Sequence, residues 1–278
     1  MVERYRIAIN KILLNIPPPF YGLERMGKLG KINFYGIGLD LVDTKQILNL
    51  CDNYLKNEEA STIFFLNAHY YNLSCRNDEY RRILNKSTVV LNDGIGVKLG
   101  LKLKKLNAKE NMNGTDLIPK IIKFVEKKES KIFLLGAKNN VITKVPEKLK
   151  SNYPNINIVG FRDGYFKEDE EEKLIKDINN SGAEIIIIGM GAPYQEIWIE
   201  RNKSKLKNIK IIIAGGAIFD FISEEVSRAP LIIRNLNLEW FYRFILEPKR
   251  LFRRYIVGNI EFFFNIFSNR KTLVYGDQ

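Results

Sequence analysis

The chain has 278 residues, 45% of them hydrophobic, and a formal net charge of +12 from 44 basic and 32 acidic side chains. It can bury a full core, and its positive balance predicts an anionic partner: nucleic acid, a phospholipid surface or a phosphorylated substrate. With one histidine, His69, and two cysteines, Cys51 and Cys75, lacking metal-ligand or disulfide spacing, a Cys/His metal site and a disulfide framework are set aside.

Residues 1–30 read as an N-terminal extension that ends in Pro17-Pro18-Pro19 and a glycine-containing loop. Its apolar residues are interrupted by Asn10, Lys11 and Asn15 and no small-residue cleavage site follows, so no signal peptide is expected. Nor does any apolar run approach the ~20 residues of a bilayer span.

From residue 31 to residue 227 the pattern is regular. Apolar, β-rich runs recur at residues 32–37, 62–66, 88–91, 131–135, 156–159, 184–188 and 210–214. Between most of them lie polar stretches of helical length, such as 45–55, 116–127 and 168–179. This alternation predicts an α/β, Rossmann-like core: a mainly parallel sheet with helices on both faces. Asn67, Asp93, Gly136, Gly189 to Gly191 and Gly215-Gly216 each fall at the C-terminal end of a strand, the edge where open parallel sheets bind ligands.

Asp93 ends a β-branched run and is followed by Gly94-Ile95-Gly96, where the backbone can turn sharply. Two readings stand side by side: an acid facing a ligand, and an N-cap for the following helix. His69, close to Asn67, is either a structural histidine or a neighbour of the crevice. Tyr165 is placed to stack on a base or to cover the core. The segment Gly189-Met190-Gly191-Ala192-Pro193-Tyr194-Gln195-Glu196 puts Tyr194 where a dinucleotide fingerprint has its third glycine. Its amides would still suit a diphosphate, and Gln195 a sugar or base edge. Asp220 is a further acid beyond a strand end. No Asp-x-Asp pair ends a strand, so no metal and no cofactor is expected, and leaving-group charge would fall to arginine or lysine.

Residues 228–278 form a C-terminal appendage of another kind. Between 228 and 271 lie nine Lys/Arg and three acids, a net of +6 and half of the chain's excess. Trp240, Phe241, Tyr242, Phe244, Phe252 and Tyr255 interleave with the arginines. A helical, basic-aromatic face of this kind suits an anionic membrane surface. The alternative is a basic Rossmann-like nucleic-acid-binding protein, which would leave the crevice residues without a task.

The strings VLNDGIGVKLG (90–100), GMGAPYQEIWIE (189–200), GGAIFDF (215–221), VSRAP (226–230) and LEWFYRFILEPKRLFRRY (238–255) carry a resemblance to the WecG/TagA/CpsF family of bacterial glycosyltransferases. The resemblance implies an inverting, metal-independent transfer of a sugar from a UDP-sugar to a polyprenyl-diphosphate-linked saccharide. It would occur peripherally at the cytoplasmic face of the membrane, without nucleic acid, and a homo-oligomer is compatible with it. It implies Asp93 as general base and Arg243, Arg250 and Arg253 as arginines approaching the diphosphates. Asn67, His69, Gly94, Gly136, Tyr165, Gly189, Gly191, Gln195, Glu196, Gly215 and Asp220 are the implied substrate contacts. The chain departs from the family pattern at Phe65 and His69, where threonine and an acid are usual. A second departure is Glu224-Glu225, in place of a small Ala-Gly step.

Overall fold

A computed structural model describes residues 30–235 and 238–275. Apart from Gly30, the expected N-terminal extension lies outside the described residues. The first run splits into β1 (Ile32–Phe34) and β2 (Ile37–Leu39), an antiparallel hairpin separate from the main sheet. A single strand over 32–37 is the sequence expectation. Tyr35 and Gly36 break it, with φ of 49° and 92°, the pair of positive angles that a two-residue hairpin turn requires.

The chain continues through α1 (Thr44–Tyr54), β3 (Ser61–Leu66), α2 (Ala68–Arg76), α3 (Asp78–Lys86), β4 (Val89–Asn92), α4 (Gly94–Leu103) and α5 (Gly114–Glu126). Next come β5 (Lys131–Gly136), α6 (Asn139–Ile142), α7 (Val145–Asn152), β6 (Asn157–Arg162), α8 (Glu171–Ser181), β7 (Ile185–Gly189), α9 (Tyr194–Asn202) and β8 (Ile211–Ala214). The six later strands form one parallel sheet in the order β4-β3-β8-β7-β5-β6.

The period of two along each strand explains the two-sided core. Phe64, Leu66, Ile186, Ile188 and Ile212 face one apolar cluster, shared with α2, α3, α4, α8 and α9. Ile63, Phe65, Ile185, Ile187 and Ile213 face the other, shared with α1, α5, α6 and α7. Strands buried on both faces need continuous apolar sequence, and β3, β4, β7 and β8 have it.

Beyond β8 come α10 (Ile218–Ile222), α11 (Leu231–Asn235), α12 (Glu239–Leu246), α13 (Pro248–Phe252), a π-helical turn (Arg253–Val257) and α14 (Gly258–Tyr275). The last helix wedges against α2 and α4. Phe262 and Ile266 on it are fully buried, and the Phe262 ring meets Tyr71 edge-on at 5.4 Å. Gly100 makes room on α4, since a Cβ there would lie 2.7 Å from Phe34 and 3.0 Å from Ile266. The basic-aromatic segment is therefore not detached from the sheet domain. Its final helix shares the main core, and removing residues 228–278 would uncover Phe34, Tyr71 and Gly100, which Phe262 and Ile266 cover.

Candidate active site

The parallel register of β3 and β4 pairs Leu66 with Asn92, so the next residues, Asn67 and Asp93, leave the sheet side by side. The Asp93 amide donates to the Leu66 carbonyl at 2.9 Å. Asn67 caps α2, its Oδ1 accepting from the Tyr70 amide at 3.0 Å. Its Nδ2 is left to donate to Asp93 Oδ2 at 3.2 Å. Asp93 occupies the N-cap position of α4 but makes no capping bond with its side chain. Instead the Gly94 amide donates to Asn111 Oδ1 at 2.8 Å. The carboxylate is thus released from cap duty. Burial raises its pKa to about 6; the Asn67 bond and the Arg254 charge pull it down, while Glu239 and Asp116 push it up.

Asp93 faces a pocket of about 340 Å³ over the C-terminal edge of the sheet, within the ~300–1,000 Å³ of small-molecule sites. The sheet side contributes Phe65, Asn67, His69, Gly94, Gly191 and Gly215. A side wall comes from Asn111, Asn113 and Thr115 on the loop into α5. The roof is built by the C-terminal helices through Arg234, Glu239, Trp240, Arg243, Arg254 and Tyr255.

Charge in the roof is unevenly matched. Arg228 and Arg234 share Asp116, at 2.8 and 3.1 Å. Burial opposes ionisation of Asp116, yet the Asn113 amide and the two guanidinium groups outweigh it and hold its pKa low. Arg243 instead lies over the Phe221 ring at 5.2 Å, and Arg254 over Tyr255 at 5.7 Å. Neither is ion-paired among the described residues. Arg243 Nε, Arg254 Nε and Trp240 Nε1 are buried donors without hydrogen-bond partners among the described residues. Orphaned donors and uncompensated cations in a partly dry pocket are costly, and an anion with several acceptor oxygens relieves both costs. His69 is pushed down to about 4 by burial and by Arg254 and Arg76, so at neutral pH it offers hydrogen bonds rather than charge.

The model of the Glycosyl transferase WecG/TagA/CpsF family matches residues 32–274. The chain belongs to this family. It is a glycosyltransferase. It is 33% identical over 198 residues to the N-acetylglucosaminyldiphosphoundecaprenol N-acetyl-beta-D-mannosaminyltransferase of Bacillus subtilis (strain 168), covering 71% of this chain and 76% of that protein. It is 29% identical over 234 residues to the protein of the same name from Staphylococcus aureus (strain NCTC 8325 / PS 47), covering 83% and 91%.

In this glycosyltransferase the sequence-predicted site residues divide into two groups. Asn67, His69, Asp93, Gly94, Gly191, Gly215 and Arg243 meet at the pocket. The others whose side chains are described do not line it. Gln195 is fully buried; its Oε1 accepts from the amides of Gly191 and Gly216, both at 3.1 Å, and its Nε2 donates to Glu196 Oε1 at 2.8 Å. It ties two glycine turns together under the pocket and is not among its lining residues. Glu196 is buried beneath it, and burial raises its pKa to about 7. Gly136 and Gly189 serve packing: a Cβ on Gly136 would stand 2.4 Å from the Gly189 backbone, and one on Gly189 2.6 Å from Phe219. Tyr165 is 73% exposed, beyond the rim, and Asp220 lies in the first turn of α10 outside the lining. Arg253 points to solvent while its neighbour Arg254 enters the pocket. The side chain of Arg250 lies outside the described residues. Sequence reasoning also passed over Trp240, Tyr255 and the Asn111 to Thr115 loop. The signal for the loop was Asn113-Gly114-Thr115-Asp116, a helix start facing the same edge.

Because folding raises the pKa of Asp93, the folded state holds its proton more tightly than the unfolded state does. The resulting stability is present below about pH 4 and is lost as pH rises through about 6. Asp93→Asn should therefore gain stability over the parent between pH 4 and 7 and keep a constant advantage above that. Urea midpoints at four pH values would show it, and equal midpoints throughout would contradict the buried ionisation.

Proposed function

We propose that this enzyme transfers a sugar, N-acetylmannosamine or a related hexose or uronic acid, from a UDP-sugar to a polyprenyl-diphosphate-linked saccharide. The transfer would invert the anomeric centre, need no metal, and serve cell-surface polysaccharide or teichoic acid synthesis. The observation that carries the reading is the placement of Asp93 in one pocket with Arg243 and Arg254, two cations lacking acidic partners among the described residues. The B. subtilis and S. aureus relatives are named for an N-acetylmannosaminyl group and a diphosphoundecaprenol-linked N-acetylglucosamine, which supports the same sugar and acceptor classes.

The chemistry follows from the charges. The acceptor hydroxyl oxygen attacks C1 of the donor sugar as the bond from C1 to the diphosphate oxygen breaks. Asp93 takes the hydroxyl proton, and UDP leaves with its electron pair. Arg243 and Arg254 meet the charge that grows on the diphosphate. A carboxyl group poised near pH 6 is still ionised at neutral pH and is a stronger base than an ordinary aspartate. Asn67 keeps its second oxygen oriented.

The roof also offers a surface for the lipid side of the acceptor. Ten of the fifteen exposed large apolar side chains among the described residues fall between 232 and 267, so the excess is concentrated on the segment that covers the pocket. Phe241, Ile245, Phe252 and Phe264 are at least 46% exposed there, beside Arg253. No helix among the described residues is long and apolar enough to cross a membrane. A peripheral seat on the cytoplasmic leaflet fits this face.

Asp93→Asn should stay folded and lose ~10²–10⁴-fold in kcat, measured with UDP-N-acetylmannosamine and a lipid-diphosphate N-acetylglucosamine. The parent kcat/KM should fall below about pH 6. Transfer at the parent rate by the folded variant would remove the base assignment. Separately, Ile245→Glu combined with Phe252→Glu should abolish flotation with vesicles containing anionic phospholipid. Undiminished flotation would count against a membrane role for this face.

A further inference from the structure

A buried asparagine outside the pocket bonds the chain at the end of the turn that carries one of the pocket's arginines. Arg254 enters from the π-helical turn Arg253–Val257, which ends at Gly258. Asn72, in the middle of α2 and 2% exposed, donates from Nδ2 to the Gly258 carbonyl at 2.7 Å. Its Oδ1 accepts from Asn265 Nδ2 at 3.2 Å, two turns further along α14. Asn269 adds a bond to the Tyr71 hydroxyl at 2.9 Å, and Arg76 pairs with Glu261. The start of α14 is thus pinned to the helix that Asn67 caps.

A π-helical turn spends one residue more per hydrogen-bonded turn than an α-helix and is locally less favourable, so it persists where outside contacts hold it. Relaxation to α-helical winding would rotate residues 253–257 about the axis and carry Arg254 off the pocket. Loss of the Asn72 amide removes the buried partner of the Gly258 carbonyl and so favours that relaxation.

We propose that Asn72 is a positioning residue for the transfer reaction: by holding the Gly258 carbonyl it maintains the π-helical turn and keeps Arg254, rather than Arg253, beside Asp93 in the pocket. The inference rests on the reading of Asp93 as base and of Arg254 as a diphosphate contact. The groups acting on Asp93 are Asn67 and Tyr70 from α2, Arg254 from the π-helical turn, Glu239 from α12 and Asp116 from α5. Arg234 and Arg243 line the same pocket, and Arg254 is the cation that acts most strongly on Asp93 and lowers its pKa, so its departure moves the Asp93 titration upward.

The test is a double-mutant cycle on the full chain with Asn72→Leu, Arg254→Gln and both together, assayed with UDP-N-acetylmannosamine and lipid-diphosphate acceptor. Asn72→Leu should melt cooperatively, lose at least ~10-fold in kcat/KM, and shift the acid limb of the profile to higher pH, as Arg254→Gln does. The double variant should be no worse than Arg254→Gln alone, the signature of residues acting as one unit. Should Asn72→Leu fail to fold, Asn72→Ser takes its place in the cycle. Multiplicative losses, or an Asn72 variant with parental kcat/KM, would overturn the inference while leaving Arg254 in its role. Parental activity in Arg254→Gln would overturn both.

Discussion

The site depends on one constraint, the parallel register between β3 and β4. Pairing Leu66 with Asn92 makes Asn67 and Asp93 the first residues off two adjacent strands, and each then begins a helix. A slip of one residue in either strand would turn its side chain to the face opposite the other's. Because the two strands are buried on both sides, that slip would also exchange the apolar sets facing the two core clusters, so the packing of the sheet enforces the geometry of the acid. Asn67 divides its amide between capping its own helix and orienting Asp93, and Asn111 takes over the cap of the other helix. The acid is thereby held at a helix start without being consumed by it.

The second half of the site comes from the end of the chain. Its helices present arginines and Trp240 inward and a crowd of apolar side chains outward, so one layer both closes the pocket and forms its outer surface. The wedge of Phe262 and Ile266 between α2 and α4 fixes this layer to the two helices whose first turns carry Asn67 and Asp93. A half-buried acid at Asp93, a buried one at Glu196, and donors at Arg243, Arg254 and Trp240 without partners among the described residues are unfavourable on their own. Strain of this sort is tolerated where a ligand completes the arrangement.

The sheet, its parallel sense and the acid at its edge were legible in the sequence because each follows from a local pattern: β-branched runs, intervening polar stretches, and an aspartate followed by glycines. The β1–β2 hairpin was missed because its turn rests on a positive φ at Tyr35, a conformation that tyrosine does not advertise. Gln195 was read as a ligand contact. A buried amide that satisfies two backbone turns carries the same sequence signature as one that satisfies a sugar, and only the closeness of the Gly191 and Gly216 amides separates them. Arg253 and Arg254 are adjacent, and helical periodicity cannot choose between them where a π-helical turn changes the winding. The burial of α14 was hidden for a different reason: aromatics spaced among arginines suit a membrane face and a core wedge alike, and here different aromatics of one segment do each.

The most direct measurement is a crystal structure of the enzyme with an intact UDP-sugar bound. In-line displacement with inversion requires the diphosphate against Arg243 and Arg254 on one side of the sugar C1 and Asp93 on the other. The gap between C1 and the carboxylate should admit one hydroxyl oxygen at ~3–3.5 Å from C1. A nucleotide bound away from the arginine roof, or Asp93 on the same side of C1 as the leaving diphosphate, would contradict the proposed chemistry.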